Sequence, residues 1–372
     1  MSVQPSQIEQ LVRSKFSVKE HFALPDGELE FQVAFDGSTK QKFAQLQSEA
    51  GAMGFRPELT GTRDECTLTI RKAEPRVANV SRVPVVLALL TAASLVVFGL
   101  LQQDLDRQLL PSMSSYYIFF GFSGTIAVLM AAHEMGQRLS ARKGQAGHSN
   151  SYLLPGIPFL TPFLPSLGFV TTQREPALNK DRLFDVVIAG PIAVLGLSII
   201  LYIVGLLTAV PSTVAFQNTQ LVNTTVSINP NAIELAINAV AGPLVHGAPA
   251  GYVQISPVAD GAAFGFVLAF ICLLPMAIFD GGFLSSLVLG ERVARIATYL
   301  SVLLLLVIDM NYATYWATAI VALLLAGRPV RMKLQDEVSG LSSGRRWAFL
   351  GSLILAILCL PFPHSLATMP LP

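Results

Sequence analysis

Ala131-Ala132-His133-Glu134-Met135-Gly136-Gln137 closes an apolar run that carries no charge from Tyr116 to Ala132. On a helix His133 and Gln137, four apart, share a face, and Glu134 sits about a quarter turn round. In the helical pattern H-E-x-x-H two imidazoles hold zinc and the glutamate activates a bound water. Here the second imidazole is an amide, so one turn presents a possible metal ligand, a possible general base and a polar side chain. Ionisable groups at membrane depth are costly unless they are paired or face a wet cavity. The pair His133–Glu134 is therefore read as part of a buried polar site rather than as an ordinary surface pair.

The composition sets the frame for that site. The chain has 372 residues, is 52% hydrophobic and only 13% charged, with mean hydropathy +0.56. Those values describe an α-helical polytopic membrane protein with a modest soluble part. A net charge of +1 gives no reason to expect nucleic acid as a partner. Cys66, Cys272 and Cys359 are scattered, two of them in apolar runs, and imply neither a disulfide framework nor a cysteine-based metal site. Neither a cleaved secretory signal nor an Arg- and Ser-rich transit peptide is expected at the N-terminus.

Residues 1–75 are the one long stretch of soluble character. A short helix is expected from Ser6 to Phe16, and Glu28 to Phe35 alternates as a strand, with Leu29, Phe31, Val33 and Phe35 on one face. Ser38-x-x-Gln41 reads as a capping box for a helix whose Phe43, Leu46, Ala50 and Met53 form a stripe. Two more strands, Phe55–Leu59 and Cys66–Ile70, complete a small α+β domain without a cluster that suggests chemistry.

Arg71, Lys72, Arg76 and Arg82 lead into a first span near residues 83–101 and place the N-terminal domain in the cytoplasm. A second span, 115–137, ends at the His133 motif and is followed by Arg138, Arg142 and Lys143. The stretch Ser151–Thr172 is apolar, but Pro155, Pro158, Pro162 and Pro165 forbid an ordinary helix. A re-entrant or extended segment surrounded by protein is expected there. A third span, 184–210, contains Ala189-Gly190-Pro191, small residues suited to close packing around a kink. Residues 211–257 read as external, with His246 structural. A fourth span, 262–279, returns to the inner boundary and ends at Asp280-Gly281-Gly282. Further apolar runs at 296–308, 313–326 and 347–360 bring the count to six or seven, with segments 76–335 as the core and 336–372 as a C-terminal transmembrane piece. Two spans of the same direction thus carry His133–Glu134 and Asp280 to one depth, where a carboxylate and an imidazole suit a metal.

With these residues in place, the chain resembles the site-2 protease family of intramembrane zinc metalloproteases (peptidase M50-like), over roughly residues 80–330. The branch that includes the plastid EGY proteins and their prokaryotic relatives is the most similar. Phe184-Asp185 with Ala189-Gly190-Pro191 is similar to the family's F-D-x-x-x-A-G-P stretch. The segment from Leu273 to Gly282 is similar to its N-L-L-P-x-x-x-x-D-G-G segment. The resemblance implies His133, Gln137 and Asp280 at the metal-ligand positions, Glu134 as catalytic general base, and Gly168, Phe169 and Cys272 at substrate-binding positions. Cys272 stands where the family has an asparagine thought to hold the substrate strand, and Phe283 where relatives often have Arg or His. His148 is a candidate replacement ligand.

An amide oxygen is neutral and less basic than imidazole, so zinc is expected to bind weakly or not at all if the site is degenerate. Two functions follow from the resemblance. One is site-specific zinc hydrolysis of transmembrane segments of other proteins, which add as a strand beside Gly168-Phe169-Val170. The other is an inactive homologue that binds transmembrane clients as a chaperone or assembly factor. A transporter is disfavoured, because few other intramembrane charges and no inverted repeat are present. The expected location is a prokaryotic cell membrane, ahead of a thylakoid or other plastid membrane, with substrate or client proteins and the lipid bilayer as partners.

Overall fold

A computed structural model describes residues 5–23, 28–73, 82–109, 111–144, 149–157, 164–173, 175–215, 230–241, 252–277, 279–308, 314–327 and 332–361. The expected features at His148 and His246 lie outside these residues.

The N-terminal domain packs helices α1 (Pro5–Lys15) and α2 (Thr39–Ala52) with strands β1 (Val18–Ala23), β2 (Leu29–Val33), β3 (Phe55–Gly61) and β4 (Cys66–Lys72). Period-two alternation decides which side chains turn inward. Phe31 and Val33 of β2 and Cys66, Leu68 and Ile70 of β4 are buried against Ile8, Val12, Phe43 and Leu46 of the helices. The start of α2 differs from the capping-box expectation: Ser38 makes no side-chain cap bond. Asp36 takes the role, its Oδ1 accepting from the Ser38 backbone N–H and hydroxyl, both at 2.8 Å, and from Thr39 Oγ1 at 3.1 Å. An ionised carboxylate two residues upstream is the stronger acceptor. The Lys42 ammonium, together with Ser38, holds the Asp36 carboxyl well below the usual range.

Two short strands join this sheet from far along the chain, β7 (Ala177–Asn179) and β10 (Leu334–Asp336), giving the order β1-β2-β4-β3-β10-β7. Strand β10 lies parallel to both neighbours, pairing Asp336 with Leu59 and with Asn179. Leu178 of β7 is buried in the core of the N-terminal domain. Lys40 of α2 adds an ion pair to Asp181, 2.6 Å.

Among the described residues, three helices are long and apolar enough to cross a membrane. They are α3 (Val83–Leu109), α5 (Lys180–Leu207), and α4, which runs through Ser115–Phe119, a π turn at Phe120–Gly124 and Thr125–Gly144. The other expected spans are shorter or more charged helices, α7 (Pro257–Leu273), α9 (Glu291–Ile308), α10 (Trp316–Ala326) and α11 (Ser343–Leu358), and two short helices not expected as spans, α6 (Ala232–Ala241) and α8 (Asp280–Leu289), lie among them. Helix α7 is buried on nearly all sides from Gly261 to Leu273 and forms the centre of the bundle. Helices α4 and α5 approach closely through Gly136, where a Cβ would lie 2.6 Å from the Ala189 carbonyl oxygen.

The described ends of the proline-rich stretch are paired strands. Strands β5 (Ser149–Pro155) and β6 (Ser166–Gln173) pair antiparallel, Leu153 opposite Phe169 and Tyr152 opposite Val170. The Ser94 hydroxyl of α3 lies 2.9 Å from the carbonyls of Gly156 and Pro165 at the hairpin's ends. A second pair of strands, β8 (Val210–Ala215) and β9 (Tyr252–Ile255), connects the far ends of α5 and α7.

One boundary differs from expectation. The fourth span does not run on to Phe279; α7 stops at Leu273, and Asp280 is the first residue of a new helix, α8. Leu274 precedes Pro275, whose ring drives it out of the helical region, and it is extended at φ −62°, ψ 138°. Ala277 then takes a left-handed φ of 41° and donates its N–H to Thr298 Oγ1 at 2.9 Å. A Cβ on Gly281 would run into the carbonyls of Leu273 and Leu274, and one on Gly282 into that of Ala277. The two glycines after Asp280 are what let the turn fold back onto α8.

Candidate metal centre

Helix α4 delivers His133 and Gln137 on one face, one turn apart, and both are buried. Helix α8 delivers Asp280 at its first turn, also fully buried. His133 Nε2 lies 2.7 Å from Asp280 Oδ2. The Gln137 amide nitrogen donates to Asp280 Oδ1 at 3.0 Å and reaches Thr171 Oγ1 at 3.4 Å. The Thr171 hydroxyl donates to the same Oδ1 at 2.6 Å. Asp280 therefore receives donors on both oxygens from α4 and β6, as a carboxylate withdrawn from water requires.

The imidazole is fixed by shape as well as by hydrogen bonds. One face stacks on Phe169, centroids 3.7 Å apart and planes 9° from parallel. Gly190 of α5 also abuts the ring: a Cβ there would lie 2.6 Å from Nε2. That contact accounts for the glycine of Ala189-Gly190-Pro191. His133 Nδ1 is buried with no hydrogen-bond partner among the described residues.

Cys272, the penultimate residue of α7, completes the cluster. Its sulfur, a His133 nitrogen and an Asp280 oxygen lie within 4.8 Å of one another, all three residues buried. The backbone N–H of Phe169 faces that sulfur. Strand β6 has neighbours on both sides, β5 along one edge and, across the other, a bridge from Val170 to Phe279. Gly168 sits between, at φ 108°, where a Cβ would press on Ile271 and Phe279.

Glu134 is not in this cluster. Its side chain lies on the half-exposed flank of α4 and pairs with Arg138, Oε1 to Nε 2.6 Å. The structure thus brings His133, Gln137, Asp280, Phe169 and Cys272 together and turns Glu134 aside. Thr171 was not expected at the site; a threonine in a strand carries no metal pattern. Arg345 was missed as well. Its guanidinium holds Asp185, the acid of Phe184-Asp185, through Nη2 to Oδ2 at 2.6 Å and Nε to Oδ1 at 2.8 Å, and reaches Asp181 at 3.0 Å.

The zinc implied by the resemblance fits part of this set. His133 and Asp280 offer a ring nitrogen and a carboxylate oxygen to one point, and the Cys272 sulfur is a third ligand atom in reach. Gln137 does not fit as a ligand, because its amide N–H group is directed at Asp280.

Comparison with protein families matches residues 121–308 to the model of Peptidase family M50. Neither the curated proteins nor the solved structures gave a match.

Proposed function

Because the chain belongs to peptidase family M50, we propose that it engages transmembrane segments of other membrane proteins and holds them without hydrolysing them. The observation that carries this reading is the place of Glu134. A general base must come within hydrogen-bond reach, directly or through one water, of the proton it takes. Glu134 instead pairs with Arg138 outside the cluster.

Zinc, when bound in such a site, acts as a Lewis acid and lowers the pKa of a bound water towards ~7. In this chain His133 and Asp280 would hold it, and Gln137 and Thr171 orient the carboxylate. Phe169 covers one face of the buried imidazole. A client strand reaches the cluster only by displacing that ring, and main-chain pairing along the β5–β6 hairpin supplies the affinity. The N-terminal domain is proposed to lie in the cytoplasm of a prokaryote, on the side to which the Lys/Arg excess points. Its sheet takes strands from residues 177–179 and 334–336, which supports a common side for these three segments.

The test uses the full chain in liposomes with single-span test proteins and a photocrosslinker at Tyr152 of β5. Crosslinking to the client's apolar span with the span left intact is the expected result. Cleavage within the span, abolished by Glu134→Gln, would establish the hydrolytic alternative instead.

A further inference from the structure

We infer that Cys272 is a metal ligand, and that with His133 and Asp280 it forms a three-ligand, thiolate-bearing centre for a zinc-like divalent ion. This rests on reading the cluster as the family's metal position, and it is independent of whether clients are bound or cut.

The geometry comes first. A tetrahedral zinc with sulfur at about 2.3 Å and nitrogen or oxygen at about 2.0 Å sets its ligand atoms roughly 3.3–3.5 Å apart. The three atoms here already lie within 4.8 Å of one another, and the imidazole and carboxylate are in contact at 2.7 Å. Admitting an ion needs the His133–Asp280 contact to open by about half an ångström and the thiol to close in. No helix has to move by a turn.

Charge points the same way. A divalent ion on a neutral imidazole, a carboxylate and the Gln137 amide would leave one positive charge in a buried site. With a thiolate in the amide's place the complex is neutral, and a neutral complex is the least costly to bury. Thiolate is also the soft ligand that zinc-like ions prefer. Gln137 and Cys272, which separately look like two losses, become one exchange. The amide moves out to position the carboxylate, as supporting partners of metal ligands do, and the thiol moves in.

The step balances. The ion takes the place of the thiol proton, so R–SH and M²⁺ give R–S–M⁺ and one H⁺ released to solvent. The His133 proton shared with Asp280 passes to Nδ1, the ring nitrogen left without a partner, so that Nε2 can take the ion. The centre would then tie α4, α7 and α8 together at one point. With Glu134 on Arg138 no base faces it, which fits a structural role.

Cobalt(II) reports thiolate ligation directly, through a near-ultraviolet sulfur-to-metal charge-transfer band. The purified full chain in detergent is titrated with Co²⁺ alone. The expected result is one equivalent bound per chain with that band. The band should vanish in Cys272→Ser, a near-isosteric change, and in His133→Ala. It should persist unchanged in Cys66→Ser with Cys359→Ser, and in Gln137→Ala with cobalt affinity weakened about 10–100-fold. Cobalt bound without the band, a band that survives Cys272→Ser, or no cobalt bound at all would each overturn the assignment. None of these outcomes touches the crosslinking result for clients. Thermal unfolding of each variant without metal separates a lost ligand from a lost fold.

Discussion

The imidazole of His133 lies flat on the ring of Phe169, centroids 3.7 Å apart and planes 9° from parallel. One residue of the extended hairpin thus seals the polar cluster that the next but one, Thr171, helps to build. Replacing Phe169 by alanine should open the cluster. The cavity costs about 3–5 kcal/mol of stability. Client crosslinking at Tyr152 should rise rather than fall, because the seal and not the client is lost. Unchanged or reduced crosslinking in a folded variant would mean that the ring does not guard the site.

Gly190 should not tolerate a methyl group. Gly190→Ala puts a carbon 2.6 Å from His133 Nε2 and must push the imidazole off Asp280. The expected cost is about 1–3 kcal/mol. On the same helix Gly196 has nothing within 4 Å, so Gly196→Ala should be neutral or slightly stabilising. Melting temperatures of the two variants in one detergent decide the matter; equal shifts would refute it.

Asp280 collects three donors, so its removal should be felt beyond its own contacts. Asp280→Ala removes the buried acceptor that His133, Gln137 and Thr171 share, at about 3–5 kcal/mol. Asp280→Asn keeps one oxygen for Gln137 and Thr171, and the ring can switch tautomer to accept from its amide. It should therefore cost clearly less. Denaturant unfolding of both variants is the measurement, and a milder effect for alanine would contradict the network.

Topology can be read by labelling. Cys66, Cys272 and Cys359 are buried, and burial beside Asp336 pushes the Cys66 thiol up to about 11, so the native background should be silent. Lys19→Cys and Arg142→Cys should react from the same side and Gln220→Cys from the other. Labelling of residues 19 and 220 from one side would overturn this topology.

Arg345 should couple the soluble domain to α5. Its guanidinium holds Asp185 by two bonds and meets Asp181, which also pairs with Lys40 of α2. These groups are partly exposed, so Arg345→Ala should cost about 1–2 kcal/mol. A double-mutant cycle of Lys40→Ala with Arg345→Ala should show non-additivity through their shared partner. Strict additivity would mean that Asp181 does not link them.

What the sequence disclosed and what it concealed divide along physical lines. His133 and Asp280 are 147 residues apart in the chain, yet charge asymmetry and span direction sufficed to bring them to one depth. The prolines of 155–165 announced extended backbone, and β5–β6 is a hairpin. The end of α7 was readable in Pro275 and was missed, because an apolar stretch continues past it. Glu134's turn onto Arg138 was latent in their spacing of four, but the motif outweighed it. Strands β7 and β10 have three residues each, too few to carry any period. Arg345 and Asp185, 160 residues apart, have no local sign at all.

The parallel seat of β10 between β3 and β7 sets an order of events during synthesis. Residues 177–179 have no edge to pair with until 334–336 have arrived, and those emerge only after nearly all the apolar helices have been made. The sheet of the N-terminal domain is therefore finished last, although most of it is translated first. Until then Leu59's side of β3 stays open, an unpaired edge waiting on the ribosome. Completion of the sheet follows the synthesis of every helix before residue 334, so the domain at the start of the chain closes on residues made near its end.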